Sequence, residues 1–512
     1  MQNKLSQLNA LFLAVLLLIA GCAISISILD LFVLPALVPA ESATARLADI
    51  PHGINASIDS PQELYVPEDS PFEIAITLST PEIKDGETVV VYIVANDSIR
   101  DVHECVPSDE EVTFVGKTQI HCNVSIAHAY IVREQVILYP VLEHYLTGPI
   151  ARADPIVLAI DWDEYDSLLW GYSIMMLFAS IIALAFMAAV LIIVLYVAAG
   201  AKHIEEYKEE YSLSTLLLPF KNAKSWTEMY QALISSPWFW ITEVAGIAVL
   251  LFYIMFASNS LVSFSAFFAF MLSGFLAFIT PFLWTAVMWL ADYKEREPLR
   301  IIVSLFLWGG LAGLMSIGLN SLLGNIFIAI GVGFLSAMII APLVEEFFKG
   351  MGIAVFSLHH ELNNMVDGLV YGFIIGMGFA FVEDWLYLLN NPMGGNPAMW
   401  FAVFILRSIV FSATHGVFTS LTGAIIGYLK EKEFAFPTLG LLFAPLPAMA
   451  LHAIHNSMEF WSLFGGLGQV AYCCILLPLF DYGGLAFVMI LLIIGVYLMQ
   501  PLKQKGKKAL GT

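Results

Sequence analysis

Apolar runs of about 20 residues or more, joined by short polar connections, make up most of this chain. A helix crossing a bilayer needs roughly that length, and the pattern predicts about ten spans, near 8–29, 168–199, 237–258, 262–291, 300–320, 325–344, 366–389, 399–429, 438–464 and 470–499. Between the first two the periodicity changes. "FEIAITLS", "TVVVYIVA", "VTFVGKTQIHCNVSIA", "EQVILYPV" and "PIVLAIDW" are short runs rich in Val, Ile, Tyr and Thr, broken by "PEDS", "KDGE" and "PSDEE". Short strands at that spacing predict an antiparallel β-sandwich over 41–166. The expected fold class is therefore an all-α polytopic membrane bundle with an inserted extracytoplasmic β-sandwich domain. Its divisions are an N-terminal membrane anchor at 1–40, the β-rich domain at 41–166, a transmembrane helix at 167–200 and a cytoplasmic amphipathic segment at 201–236. Further transmembrane helices at 237–320, a polar-cored membrane unit at 321–465, and a last helix with a basic cytoplasmic tail at 466–512 complete it.

Composition agrees with this pattern: 59% of the 512 residues are hydrophobic and 13% charged, with a mean hydropathy of +0.81. The net charge of −21 suggests an acidic protein until it is located. About 23 acidic residues against 6 basic ones fall in 41–166, and no basic surface is large enough to follow a nucleic-acid backbone. Lys and Arg accumulate on the cytoplasmic side of short loops. With ten spans and a cytoplasmic N-terminus, "KHIEEYKEE", "DYKEREPLR", "YLKEKEF" and the tail "KQKGKK" all lie inside, while "ASNS", "GLNSLLGN", "NNPMGGNPAM" and "FGGLGQ" lie outside without Lys or Arg. This predicts a multi-pass plasma-membrane protein with both termini cytoplasmic and 41–166 extracytoplasmic. "LLLIAGCA" resembles a lipoprotein cleavage box ending at Cys22, but the apolar run continues beyond it, which favours an uncleaved anchor.

Two features support an extracytoplasmic β-rich domain. Cys105 and Cys122, its only cysteines, are close enough in sequence to clip a hairpin by a disulfide. Its only asparagines, Asn55, Asn96 and Asn123, all begin N-x-Ser, and no other asparagine of the chain does, so all three are candidate N-glycosylation sites.

The candidate chemistry lies where the membrane pattern is broken. An ionisable side chain near the bilayer centre costs roughly 2.5–3.5 kcal/mol even on the mildest scale. Yet "VEEFFKG" carries Glu345, Glu346 and Lys349; "FAFVEDWLYLL" carries Glu383 and Asp384; "LRSIVFSATHGVFTS" carries Arg407 and His415; and "LHAIHNSMEF" carries His452, His455 and Asn456. Lys349 lies i+4 from Glu345 and i+3 from Glu346, so it can neutralise one carboxylate and leave the other as a base. His452 and Asn456 are i,i+4, as are His415 and Thr419. One carboxylate, two imidazoles and an amide are the parts with which a peptidase activates water and holds an oxyanion. No H-E-x-x-H, G-x-G-D or G-x-S-G motif offers another peptidase chemistry.

"EEFFK", "DGLVYGFIIGMGFAFVEDWLY", "HGVFTSLTGAIIG" and "LHAIHNS", in this order on successive helices, resemble the PrsW family of intramembrane proteases, within the superfamily of CAAX prenyl endopeptidases and bacteriocin-immunity proteins. The resemblance covers about 325–465. It implies a glutamate-dependent endopeptidase acting on membrane-anchored protein substrates, with Glu345, Glu346, His415 and His452 in the catalytic positions, Asn456 on the oxyanion side, and Lys349, Glu383 and His455 supporting. Relatives usually show E-N-x-x-Y where this chain has Glu383, Asp384 and Tyr387. The expectation is a mechanism that requires no cofactor, with a divalent metal such as zinc, held by His415 and His452, as the alternative. A paired site of His452 and His455 is a further possibility. Counted along the spans, Glu345 falls toward the cytoplasmic end and Glu383 toward the outer side, which makes Glu383 a support and not a member of the site. The competing functions are a non-catalytic scaffold or receptor of the same superfamily and an ion-coupled transporter.

Overall fold

The computed structural model describes residues 43–509, apart from 59–62, 66–71, 82, 85–86, 96–97, 106–111, 115–116, 127–135, 145–146, 200–210, 243–244, 246–263, 294–295, 330–334, 391–401 and 435–436. The anchor at 8–29 with Cys22, most of the span at 237–258, and Asn96 lie outside the described residues.

The N-terminal region contains strands β1 (Asn55–Ile58), β2 (Glu63–Tyr65), β3 (Phe72–Pro81), β4 (Glu87–Ala95), β5 (Ser98–Cys105), β6 (Val112–Phe114), β7 (Lys117–Ile126), β8 (Val136–His144), β9 (Gly148–Arg152) and β10 (Ile156–Asp161). They form one sheet in the order β1-β3-β7-β6 and another in the order β2-β10-β8-β4-β5, with β9 on β8. All pairs are antiparallel except β2 with β10. Alternation sets the faces: Ile74, Ile76 and Leu78 of β3 join Val89, Val91 and Ile93 of β4 in one buried cluster, so both sheets contribute to the same core. The disulfide between Cys105 and Cys122 joins β5 to β7. It therefore staples one sheet to the other, where the sequence suggested a clip within a hairpin. Asn55 and Asn123 are on the exposed faces of β1 and β7.

The remainder is helical: α1 (Trp162–Ala199), α2 (Phe264–Ala291), α3 (Leu299–Ala329), α4 (Ala341–Phe356), α5 (Met365–Asn390), α6 (Thr414–Glu431), α7 (Leu446–His455) and α8 (Gly483–Ala509). Among the described residues, seven helical stretches are long and apolar enough to cross a membrane. The protein is a multi-pass membrane protein. α5 is the centre of the bundle, with 89% of its apolar window buried against 12% for α1.

Small residues along α5 set how closely its neighbours approach. A Cβ on Gly368, Gly372 or Gly376 would fall 2.1–2.3 Å from the backbone oxygens of Gly423, Thr419 and His415 on α6, and one on Gly378 would fall against Phe306 of α3. Only glycine permits such contact.

The described residues of the stretch predicted as one span at 325–344 fall in two separate helical stretches. Nothing in "SLLGNIFIA" stops a helix, so α3 runs through Asn320 to Ala329, and the boundary drawn at 320/321 falls inside it. The next helical stretch begins with π-helical turns at Ser336–Ile340 and continues as α4. Pro342 has no N–H to donate to the preceding turn, which accounts for the break in the α-helical ladder there. This register puts Glu345 and Glu346 on the buried face of a helix.

Candidate active site

α4 supplies Glu345, Glu346 and Lys349, all buried. Lys349 resolves the ambiguity of the sequence: its Nζ is 2.5 Å from Glu346 Oε1 and 3.9 Å from Glu345 Oε2. Glu346 is fully engaged. Its Oε1 also meets His452 Nδ1 at 3.1 Å, and its Oε2 accepts from the Thr419 hydroxyl at 3.1 Å. Glu345 is different. Its Oε1 accepts from the Asn320 amide at 3.1 Å, while its Oε2 is buried without a hydrogen-bond partner and faces His452 Nε2 at 3.8 Å.

The neighbours fix the tautomers of both histidines. His452 Nδ1 lies against a carboxylate and must donate, leaving the Nε2 lone pair toward Glu345. His415 is reversed: Nδ1 lies 3.1 Å from the Lys349 ammonium and must accept, so Nε2 carries the proton and donates to Glu383 Oε2 at 2.5 Å. Glu383 Oε1 is 3.5 Å from Arg407, whose guanidinium stacks over Tyr387 at 3.7 Å. The Lys349 ammonium also sits over the Phe379 ring at 3.9 Å.

The structure thus brings Glu345, Glu346, Lys349, Glu383, His415 and His452 together. Glu383 is not displaced outward, as counting along the spans suggested: the glycine contacts of α5 with α6 set it level with His415. Asn456 is elsewhere. It caps α7, with its backbone N–H still bonded to His452 O at 2.9 Å, but its side-chain amide donates to Ala337 O at 3.1 Å. The amide is therefore taken by that carbonyl and does not share a contact with the His452 ring. His455 Nδ1 is turned to Asp481 at 3.0 Å, and its carbonyl accepts from the Tyr472 hydroxyl. Among the described residues, the cluster around His452 that could hold a metal does not include His455.

The sequence reading missed Asn320, which it left in an outer loop. The apolar run continuing past it was the signal. A second buried carboxylate group, Asp292, Glu297 and Asp367, was also missed. Burial, with Asp367 and Glu361 nearby, pushes Glu297 well above the ordinary carboxylate range, and Tyr371 donates to it at 2.7 Å.

Residues 297–483 match the model of a family described as PrsW family intramembrane metalloprotease. Protease PrsW of Oceanobacillus iheyensis is 29% identical over 164 residues, 32% of this chain and 72% of the relative. This protein is a PrsW-like protease. Protease PrsW of Geobacillus kaustophilus is 29% identical over 193 residues, 36% of this chain and 79% of that protein. Protease PrsW of Clostridioides difficile is 28% identical over 194 residues, 36% of this chain and 77% of its own length. No solved structure matches the chain. The β-rich region lies outside the matched residues of this PrsW-like protease.

The family's description raises a metal, and the donor set can be tested for one. Ligand atoms of Glu345, His415 and His452 lie within 4.8 Å of one another. Glu345 Oε2 and the His452 Nε2 lone pair already converge. His415 can join them only by surrendering the proton it shares with Glu383. With that one rearrangement the residues fit a divalent cation.

Proposed function

We propose that this protein is an intramembrane endopeptidase that hydrolyses peptide bonds of membrane-anchored proteins with water activated at Glu345. The observation that carries the reading is the buried, unpartnered Glu345 Oε2 facing His452 Nε2 at 3.8 Å. A water between them donates one O–H to each, and Glu345 takes the proton as the oxygen attacks the peptide carbon. Glu346 holds His452 in the tautomer this requires, and Lys349 keeps Glu346 charged and engaged. Glu383 orients His415 through its Nε2 proton, the proton that binding a cation there would displace. Glu345, His415 and His452 would hold a divalent cation, which when bound supplies Lewis-acid activation of the water.

The β-rich region is read as an extracytoplasmic β-sandwich that selects substrate, glycosylated at Asn55, Asn96 and Asn123, with both termini cytoplasmic. Kinship with the CAAX prenyl endopeptidases is part of the same proposal. The test is Glu345→Gln in the full-length protein in liposomes. It is expected to abolish cleavage of a membrane-anchored substrate while the thermal unfolding midpoint stays within a few degrees of the parent. Retained turnover would exclude the mechanism.

A further inference from the structure

Asn320 is the amide that the site contains in place of Asn456. Its Nδ2 donates to Glu345 Oε1 at 3.1 Å, and its Oδ1 is buried with no hydrogen-bond partner. The amide cannot be turned round, because Oδ1 would then oppose a carboxylate. One end of the side chain is therefore committed to Glu345 and the other presents an unfilled acceptor.

Asn320 lines a cavity of about 300 Å³ between α3 and α5, which also reaches Glu345 and Glu383. Its remaining walls are largely apolar: Gly313 and Ile317 from α3, Phe379, Val382 and Leu386 from α5. Leu386 and Tyr387 at its edge are each 38% exposed, on the surface that the membrane pattern assigns to lipid. What enters such a cavity from a bilayer is an apolar stretch of chain. Its obligatory donors are backbone N–H groups, and once a helix is unwound for cleavage these have lost their own acceptors.

Accepting the protease reading, on which this rests, we infer that the cavity between α3 and α5 is a substrate subsite for an extended apolar peptide segment. Asn320 Oδ1 accepts a backbone N–H of that segment while Asn320 Nδ2 holds Glu345 in place. Substrate backbone and catalytic carboxylate are thereby registered to each other through one side chain. An apolar replacement removes both contacts, whereas Asn320→Asp keeps an acceptor and loses the donor.

The experiment uses full-length protein in liposomes and a synthetic Leu/Ala transmembrane peptide with a central Gly-Ser pair. A series carries a single backbone N-methyl group at each position within three residues of the scissile bond. In the parent enzyme one position is expected to lose about 3- to 10-fold in kcat/KM, the value of one neutral hydrogen bond. In Asn320→Ala the unmodified peptide loses at least as much, and N-methylation at that position causes no further loss. Losses that simply multiply at every position would overturn the proposal, because a merely structural asparagine leaves the N-methyl pattern unchanged. Should Asn320→Ala be inactive or the peptide remain uncut, dissociation constants for the same series with Glu345→Gln, with and without Asn320→Ala, read the contact separately from hydrolysis. Position-specific weakening that disappears without Asn320 supports the subsite even if the protease reading fails, and its absence refutes the subsite even if that reading stands.

Discussion

Gly376→Ala should disable the enzyme without touching a reacting group. The added Cβ would sit 2.2 Å from His415 O, 2.5 Å from His415 C and 2.6 Å from Gly416 Cα, all backbone atoms that cannot rotate away. Ordinary contact begins at 3.4 Å, so α5 and α6 must part by about 1 Å at that level. Overpacking of this kind costs about 1–3 kcal/mol. The consequence for activity is larger. His415 rides on the displaced backbone while Glu383 stays on α5, two turns from the insertion, so the 2.5 Å contact between them and the 3.1 Å contact to Lys349 cannot both survive. A misplacement of 1 Å commonly costs on the order of 100-fold in rate. Thermal unfolding in detergent and kcat on a membrane-anchored substrate measure the two effects. Gly171→Ala, where nothing lies within 4 Å of the new Cβ, is the matched control and should change neither. If Gly376→Ala keeps the parent's kcat and unfolding midpoint, the close approach of α5 and α6 does not position His415.

Lys349→Met leaves the buried Glu346 carboxylate without its cation and should destabilise by about 3–5 kcal/mol, whereas adding Glu346→Met should recover much of that loss; thermal unfolding of the two variants checks it. Chelator titration with elemental analysis tests the cation: activity and metal should fall together and return on adding the metal back, and full activity in metal-free protein would remove the cation from the site. His359, buried in the turn after α4, is held down at about 3 from 6.5 by burial and by the neighbouring His360. The unfolded chain takes up that proton near 6.5 and the folded one does not, so stability is complete above about 6.5 and is lost as pH falls toward 3. The unfolding midpoint should therefore drop between pH 7 and pH 5, and His359→Gln should flatten that slope.

The sequence made legible the features that depend on residue type and local period. Membrane helices, short strands and the polar cluster could all be read from it. What it hid were consequences of helix ends and registers. Asn320 looked like loop because "GLNSLLGN" contains turn formers, yet the apolar pattern on either side carries one helix through it, and Gly324 fits against Ser336. Asn456 looked like a partner of His452 because i,i+4 puts both on one face, yet its side-chain amide is taken by the Ala337 carbonyl. Glu383 looked misplaced in depth because counting along spans ignores tilt and the π-helical turns at Phe404–Val410 that precede α6. These errors lie in helix ends, registers and side-chain directions, which the residue pattern specifies weakly. The residue types themselves were informative because a membrane makes each ionisable group expensive.

The charges around the site show why Glu345, and not its neighbour, is left open. Three carboxylates, Glu345, Glu346 and Glu383, share the space with two cations, Lys349 and Arg407. A proton on His415 Nδ1 would face the Lys349 ammonium, and His452 gives Glu346 one N–H through Nδ1. Lys349 at 2.5 Å belongs to Glu346, and Arg407 at 3.5 Å is nearest Glu383, so the uncompensated charge falls on Glu345. Burying it alone is costly. A proton on Glu345 would remove the charge but also the base, whereas a divalent cation held there would offset the charge and itself supply activation of the water. The placement of Lys349 three residues after Glu346 and four after Glu345 therefore does more than anchor α4. By satisfying the first carboxylate it concentrates the need for a counter-charge at the second, beside the cavity where an unwound peptide would arrive.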